Sequence, residues 1–225
     1  MKTIQLKGIA AAAFILLILS GIWLWTGMQS WKGVMLERGF EQDRNLSSVT
    51  LKQAWESSRD LPDMFLPGRH VHYPGLAAQL LILDEGIDLQ KRAQVLLQGR
   101  EGMYTALARE PAHAHAWARL AWVEHMLQGP SPEAVSALAM SMYAAPADRS
   151  LVYWRISMSA ANETYWDPGF ESILRRQMIH AWRISPDRLA RTVVETDMVE
   201  KSRQALAAAR EDLERFDQLI ARHRD

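Results

Sequence analysis

Three short stretches constrain this chain more than any other feature: ALAREP ending at Pro111, SMYAAP ending at Pro146 and AWRISP ending at Pro186. Each carries a run of helical periodicity into a proline, which lacks the backbone donor that a helix interior requires and collides with the preceding turn. Each also places a small residue five positions before the proline: Ala106, Ser141 and Ala181. The prolines stand 35 and 40 residues apart, at 111, 146 and 186. Periods of this size belong to stacked helical units, each too thin to bury its own apolar face alone.

The residues between the breakers agree. Apolar side chains recur at helical spacing at Leu76, Leu80, Leu81 and Leu83, and again at Ala93, Leu96, Leu97, Met103, Ala106 and Leu107. Ser131-Pro132, Asp167-Pro168 and Ser185-Pro186 each set a capping side chain before a proline suited to the first helical position. No run shows the sustained alternation of β-branched and polar residues that strands require. The expected fold class is therefore all-α: an N-terminal transmembrane helix, a stack of helical hairpins, and a long C-terminal helix.

From Gly8 to Trp31 there is no charged residue, and a helix of that length spans a hydrocarbon core of ~30 Å. MKTIQLK followed by IAAAAFILLIL also fits a cleaved secretory signal. The apolar run continues, however, through Ile22, Trp23, Leu24 and Trp25, and these indoles with Trp31 suit a membrane–water boundary. An uncleaved signal anchor explains more of the residues. The expected organisation is a cytoplasmic tail over 1–7, a transmembrane signal anchor over 8–31, and a stalk, short helix and Pro/Gly-rich linker over 32–75. A helical domain over 76–192 and an amphipathic C-terminal helix over 193–225 complete it. The expected location is the bacterial inner membrane, single-pass, with the C-terminal domain in the periplasm.

Lys plus Arg and Asp plus Glu both number 26, so there is no basic excess of the kind that nucleic-acid binding exploits. Nucleic acid is not an expected partner. With no cysteine the chain has no disulfide framework, thiolate metal site or thiol nucleophile.

The unit after Pro111 carries a resemblance. Trp117, Leu120 and Ala121 fall near the W-x-x-L-G positions of a tetratricopeptide first helix, Gly129 marks the turn, and Ala134, Leu138 and Ser141 line the second helix. Ala121 stands where that pattern has glycine, Glu124 where it has tyrosine, and ANETYWDPG lengthens the third unit. The domain thus resembles a degenerate tetratricopeptide-like solenoid. The order of one apolar span, AHAHAWARLAWVEHMLQG, then YWDPGFESILRRQMIHAWRISPDRLART resembles the membrane-anchored VpsP-type proteins of bacterial exopolysaccharide biosynthesis. That resemblance covers about residues 100–192, brings no catalytic motif, and implies a scaffold in envelope polysaccharide assembly.

The residues that could carry chemistry are few. His113 and His115 lie two apart, a spacing that does not aim both rings at one ion from a helix start, and His70 with His72 repeats the pattern in the linker. Turn or surface histidines are the expected reading, with no metal or cofactor site. No nucleophile elbow, phosphate-binding glycine loop or HExxH occurs, and Asp84-Glu85 and Glu211-Asp212 are adjacent pairs that point in different helical directions. The chain is therefore expected to be non-enzymatic.

The aromatics Trp117, Trp122, Tyr143, Tyr153, Trp154, Tyr165, Trp166 and Trp182 could line a sugar- or peptide-binding groove, and core packing is the expected role of most of them. Trp166, in a loop, either covers a core edge or meets a partner. Over about 197–223, Val199, Leu206, Leu213 and Ile220 lie seven apart, with Phe216 beside them. Arg210–Glu214 and Glu211–Arg215 form i, i+4 pairs, and Asp197 with Glu200 forms a capping box. Two readings of this stripe stay open: it packs along the end of its own domain, or it forms a coiled-coil seam for another chain.

The candidate partner-binding residues are thus Trp166, Val199, Leu206, Leu213, Phe216 and Ile220, and the expected partners are the membrane through 8–31 and proteins of an envelope polysaccharide system. The competing functions are a periplasmic glycan-active enzyme and a tetratricopeptide adaptor of a secretion or cytochrome-maturation machine.

Overall fold

Capping chemistry fixes where the helices begin. Ser131, Asp167 and Ser185 accept hydrogen bonds from the backbone N–H groups of Ala134, Phe170 and Arg188, each ahead of a proline in the first turn. His113 does the same with its imidazole: Nδ1 accepts from the Ala116 N–H at 3.1 Å. In this computed structural model the described residues are 88–224, together with 13–14, 16–21 and 24. They form helix and turn and include no strand. The helices are α1 (Leu89–Arg109), α2 (Ala114–Gln128), α3 (Pro132–Ala144), α4 (Val152–Ala160), α5 (Pro168–Ile184), α6 (Pro186–Glu195), α7 (Val199–Leu206) and α8 (Arg210–Arg224), with a 3-10 turn at Glu163–Tyr165.

The expected tail (1–7), the stalk and linker (32–75) and the first helical residues (76–87) lie outside the described residues, as does most of the expected anchor. The described part of the anchor is helical and exposes Phe14, Leu16, Leu17, Ile18, Leu19 and Leu24. Among the described residues no helix is long and apolar enough to cross a membrane.

Consecutive helices pack on one another. Gly129, at φ +77°, ends α2 in a backbone conformation that only glycine adopts without strain, and the chain turns back at once so that α3 lies along α2. α1 lies against the other side of α2. Beyond the hairpin, α4 packs on α5 and α6, α7 packs on α5, and α8 packs on α6. One apolar core runs through all eight helices, from Met103 and Leu107 through Leu120, Leu138 and Ile156 to Met178, Leu189 and Phe216. Burial of each such side chain contributes roughly 1.5–3 kcal/mol.

The C-terminal segment departs from its expected form. Residues 193–225 are not one amphipathic helix: they comprise the end of α6, then α7, then α8, with breaks at 196–198 and 207–209. At the first break Asp197 adopts φ +56°. The Met198 N–H donates to the Val193 carbonyl at 2.8 Å and the Asp197 N–H to the Val194 carbonyl at 3.5 Å, the Schellman pattern of a helix end. Asp197 therefore closes α6 and does not cap α7. Met198 occupies the N-cap position of α7 with no side-chain hydrogen bond, so the Asp197–Glu200 capping box does not form. The second break turns the chain so that α7 rests on α5 while α8 rests on α6, a placement that a straight heptad helix could not achieve.

Candidate functional site

The last carbonyls of a helix are short of partners, and at two of the three proline joints one short helix adds a side-chain donor to carbonyls that each already accept a backbone N–H. Arg155, on α4, is fully buried and reaches back to the end of α3. Its Nη2 donates to the Ser141 carbonyl at 2.6 Å, Nη1 to the Ala145 carbonyl at 2.9 Å, and Nε to Ser141 Oγ at 3.1 Å. Tyr153, two residues earlier, reaches forward to the end of α5. Its hydroxyl lies 3.1 Å from the Ala181 carbonyl and 3.3 Å from that of Ser185. The accepting residues have the same register, five positions and one position before the joint proline. The small residues Ser141 and Ala181 are wholly buried, which is what lets the capping side chain approach the backbone.

The Pro146 joint is the more polar. The Ser141 hydroxyl donates to the Ala114 carbonyl at 2.8 Å, tying α3 to the start of α2. Gln177 accepts from Arg155 through Oε1 at 3.4 Å and donates through Nε2 to the Pro146 carbonyl at 2.8 Å. Burial lowers the Arg155 pKa to about 10, against the attraction of Asp148, so the guanidinium keeps its charge at neutral pH. The negative end of the α3 dipole favours that charge. Burial also pushes the Asp148 carboxyl upward, but the Ser150 hydroxyl and N–H, His115 and Arg155 together hold it below its ordinary value.

The histidines of HAH have separate tasks. His113 caps α2, whereas His115 Nε2 meets Asp148 Oδ2 at 3.0 Å. The two rings stand edge to face with centroids 6.3 Å apart. Among the described residues no cluster of three or more His, Asp or Glu side chains could hold a metal ion. His70, His72 and the Asp84-Glu85 pair lie outside the described residues, and Glu211 and Asp212 sit in the first turn of α8.

The structure carries the proposed partner-binding stripe inward. Val199, Leu206, Phe216 and Ile220 are buried in the domain's own core and Leu213 is half-buried. Phe216 meets the Trp182 ring edge to face at 6.0 Å. Arg210 pairs with Glu214 at 3.1 Å, whereas Arg215 stands 5.9 Å over the Trp182 ring. The seam alternative therefore loses four of its five apolar residues to the domain itself. Trp166 covers a core edge: it leans on Phe170, donates from Nε1 to the Ser159 carbonyl at 3.2 Å, and lies under Lys201 at 5.1 Å.

Two surface grooves flank α5. One, of about 370 Å³, lies between α5 and α7 and includes Trp166, Glu171 and Lys201. Its lysine is already held by Glu171 at 3.2 Å and Glu163 at 3.8 Å. The other, of about 450 Å³, lies between α3 and α5. Met142, Ile173 and Ile179 supply its apolar lining, Tyr143 stands on its rim 62% exposed, and Arg176, His180 and Arg183 line its far side.

No known protein family, curated protein or solved structure matches the chain. The site is therefore described by its own chemistry.

Sequence reasoning missed the buried polar groups almost entirely. Glu124, at a position where the tetratricopeptide pattern has tyrosine, is 1% exposed, accepts from the Tyr104 hydroxyl at 3.1 Å and from Gln128 Nε2 at 3.0 Å, and has Arg100 at 3.7 Å. Burial, followed by the charge of Glu124, raises the Tyr104 pKa. Asn162 is likewise buried; its Oδ1 accepts from the Ser131 N–H at 3.2 Å and faces His125 Nδ1 at 3.2 Å, which assigns the proton of that ring to Nδ1. The one available signal was position: Arg155 lies on the apolar side of α4 beside Ile156 and Val152.

Proposed function

We propose that this chain is a non-enzymatic, membrane-anchored helical scaffold of bacterial envelope polysaccharide biosynthesis or export, holding partner proteins on a degenerate tetratricopeptide-like domain in the periplasm. One observation carries the scaffold reading. The buried polar side chains of the joints, Arg155, Gln177, Asn162 and Glu124, are engaged in holding helices together, while large apolar side chains stand in solvent. Tyr143 is 62% exposed, Tyr104 49%, Leu97 45% and Met126 44%. Such side chains on helix surfaces suit contact with another protein. The polysaccharide assignment is supported by the resemblance of residues 100–192 to the VpsP-type proteins, and the anchor by the uncharged run from Gly8 to Trp31.

The test is crosslinking of the full-length chain in intact cells, followed by identification of the attached proteins. Capture of glycan synthases, polymerases or export components supports the proposal. Capture of secretion or cytochrome-maturation proteins instead assigns the scaffold to a different machine. A periplasmic alkaline phosphatase fused at Asp225 should be active, and an active cytoplasmic reporter at the same site overturns the topology.

A further inference from the structure

The groove between α3 and α5 differs from the rest of the surface in its charge. Arg176, His180 and Arg183 follow one another along one face of α5, at i, i+4 and i+7, and no carboxylate lines the groove they border. Arg176 and Arg183 are exposed, and Arg176 donates only to the neutral Ser172 hydroxyl at 3.1 Å. His180, between them, is half-buried and turns Nε2 away from water, so the two guanidinium groups carry the charge of this face. The opposite wall is apolar, with Met142 beneath the exposed Tyr143.

We infer that this groove binds an acidic peptide segment of a partner protein, its carboxylates on Arg176 and Arg183 and its apolar side chains against Tyr143 and Ile179. Charge complementarity selects an anion, because guanidinium groups pair bidentately with carboxylates and a groove without its own acids leaves them unspent. The lining then selects peptide over anionic glycan. Sugar hydroxyls donate as well as accept and so need acceptors in the lining, yet the groove has no carboxylate and its Gln177 is committed at both ends, to Arg155 and to the Pro146 carbonyl. What remains for the uncharged part of the ligand is apolar surface, which suits leucine or phenylalanine side chains. The space of about 450 Å³ falls within the usual range of binding clefts, roughly 300–1,000 Å³. The inference rests on the scaffold reading and names the chemistry of one partner contact.

The test uses the full chain in detergent and two fluorescein-labelled twelve-residue peptides, one alternating Asp or Glu with Leu or Phe, the other with every acid replaced by its amide. Fluorescence anisotropy should show the acidic peptide binding at least roughly tenfold more tightly, the equivalent of about one weak charge-assisted hydrogen bond. The double variant Arg176→Glu, Arg183→Glu should abolish that preference while keeping wild-type helicity and melting temperature, because both side chains are exposed. Tyr143→Ala should weaken both peptides equally. The inference is overturned if the amide peptide binds as well as the acidic one, if charge reversal leaves affinity unchanged, or if oligogalacturonate displaces the peptide and binds the groove more tightly than it does. Crosslinking to envelope proteins that survives the double charge reversal would leave the scaffold reading standing and remove this groove from it.

Discussion

The joints at Pro146 and Pro186 close helices of the same register with side chains from the same helix, yet one uses a buried cation and the other a neutral hydroxyl. At Pro146 the end of α3 is enclosed, and the donors must satisfy two carbonyls and the Ser141 hydroxyl together. A guanidinium, with its fork of five N–H groups, can do this from one position. At Pro186, Ser185 serves as both the last cap of α5 and the first cap of α6, and its surroundings are half-open. A hydroxyl suffices there, with Arg188 laid over the Tyr153 ring at 4.3 Å on the outer side. The comparison shows that a repeat can preserve geometry without preserving chemistry. The small residue and the proline set where a cap must land, and the local degree of enclosure decides which side chain can serve.

The largest test of that contrast is Arg155→Ala. It removes a fully buried large side chain and its hydrogen bonds to α3 and α5, and should cost roughly 3–5 kcal/mol, measured by urea unfolding. Arg155→Met keeps most of the volume and should recover part of that loss; full recovery would show that packing and not capping matters at this joint.

Tyr153→Phe should cost about 0.5–1.5 kcal/mol, since Ala181 and Ser185 keep their backbone partners at Ser185 N and Leu189 N. A cost equal to that of Arg155→Ala would erase the distinction between an enclosed and a half-open joint.

Asp148→Asn probes the charge that balances Arg155. The native carboxyl has its pKa lowered from 3.8, so its contribution is present above that value and is lost as pH falls through the lowered one. The variant should therefore melt below wild type at pH 7, and the gap should close on acidification beneath 3.8. A gap independent of pH would mean that Asp148 acts through shape and not through charge.

The smallest expected effect is a gain. Asp197 sits at φ +56°, and Asp197→Gly should raise stability by about 0.5–1 kcal/mol by relieving the left-handed strain. No change on thermal unfolding would show that the break after α6 is held by the burial of Met198 and Val193 alone.

Much of this was legible in the residues. Local signals with local causes were read correctly: the three Ser or Asp caps before proline, the turn at Gly129, and the absence of strand patterns. The small residues five places before each proline were visible in the spacing, and the structure buries all three, Ala106, Ser141 and Ala181. The stripe from Val199 to Ile220 left two readings open, because a heptad records only that one face is apolar and not which surface will cover it, and the structure buries four of its five residues in the domain's own core. The capping box at Asp197 misled for a related reason. Helix start and helix stop compete for the same residue, and the burial of Met198 against Val193 favoured the stop.

The amino-acid sequence by itself determined where the helices flanked by proline, glycine or a capping side chain begin and end, since those choices depend on hydrogen bonds and steric clashes within a few residues, whereas the breaks at 196–198 and 207–209 did not show in it. Only the tertiary structure decided which polar residues went inside and which cations were left in solvent. Arg155 and Arg176 are chemically the same residue, and beyond the apolar neighbours Val152 and Ile156 of the first, nothing in the chain separates a guanidinium that caps a buried helix end from one that lines an open groove. That separation arises when α3, α4 and α5 meet: desolvation then requires Arg155 to find acceptors, and Arg176, on the solvent side of the same contact, is under no such requirement.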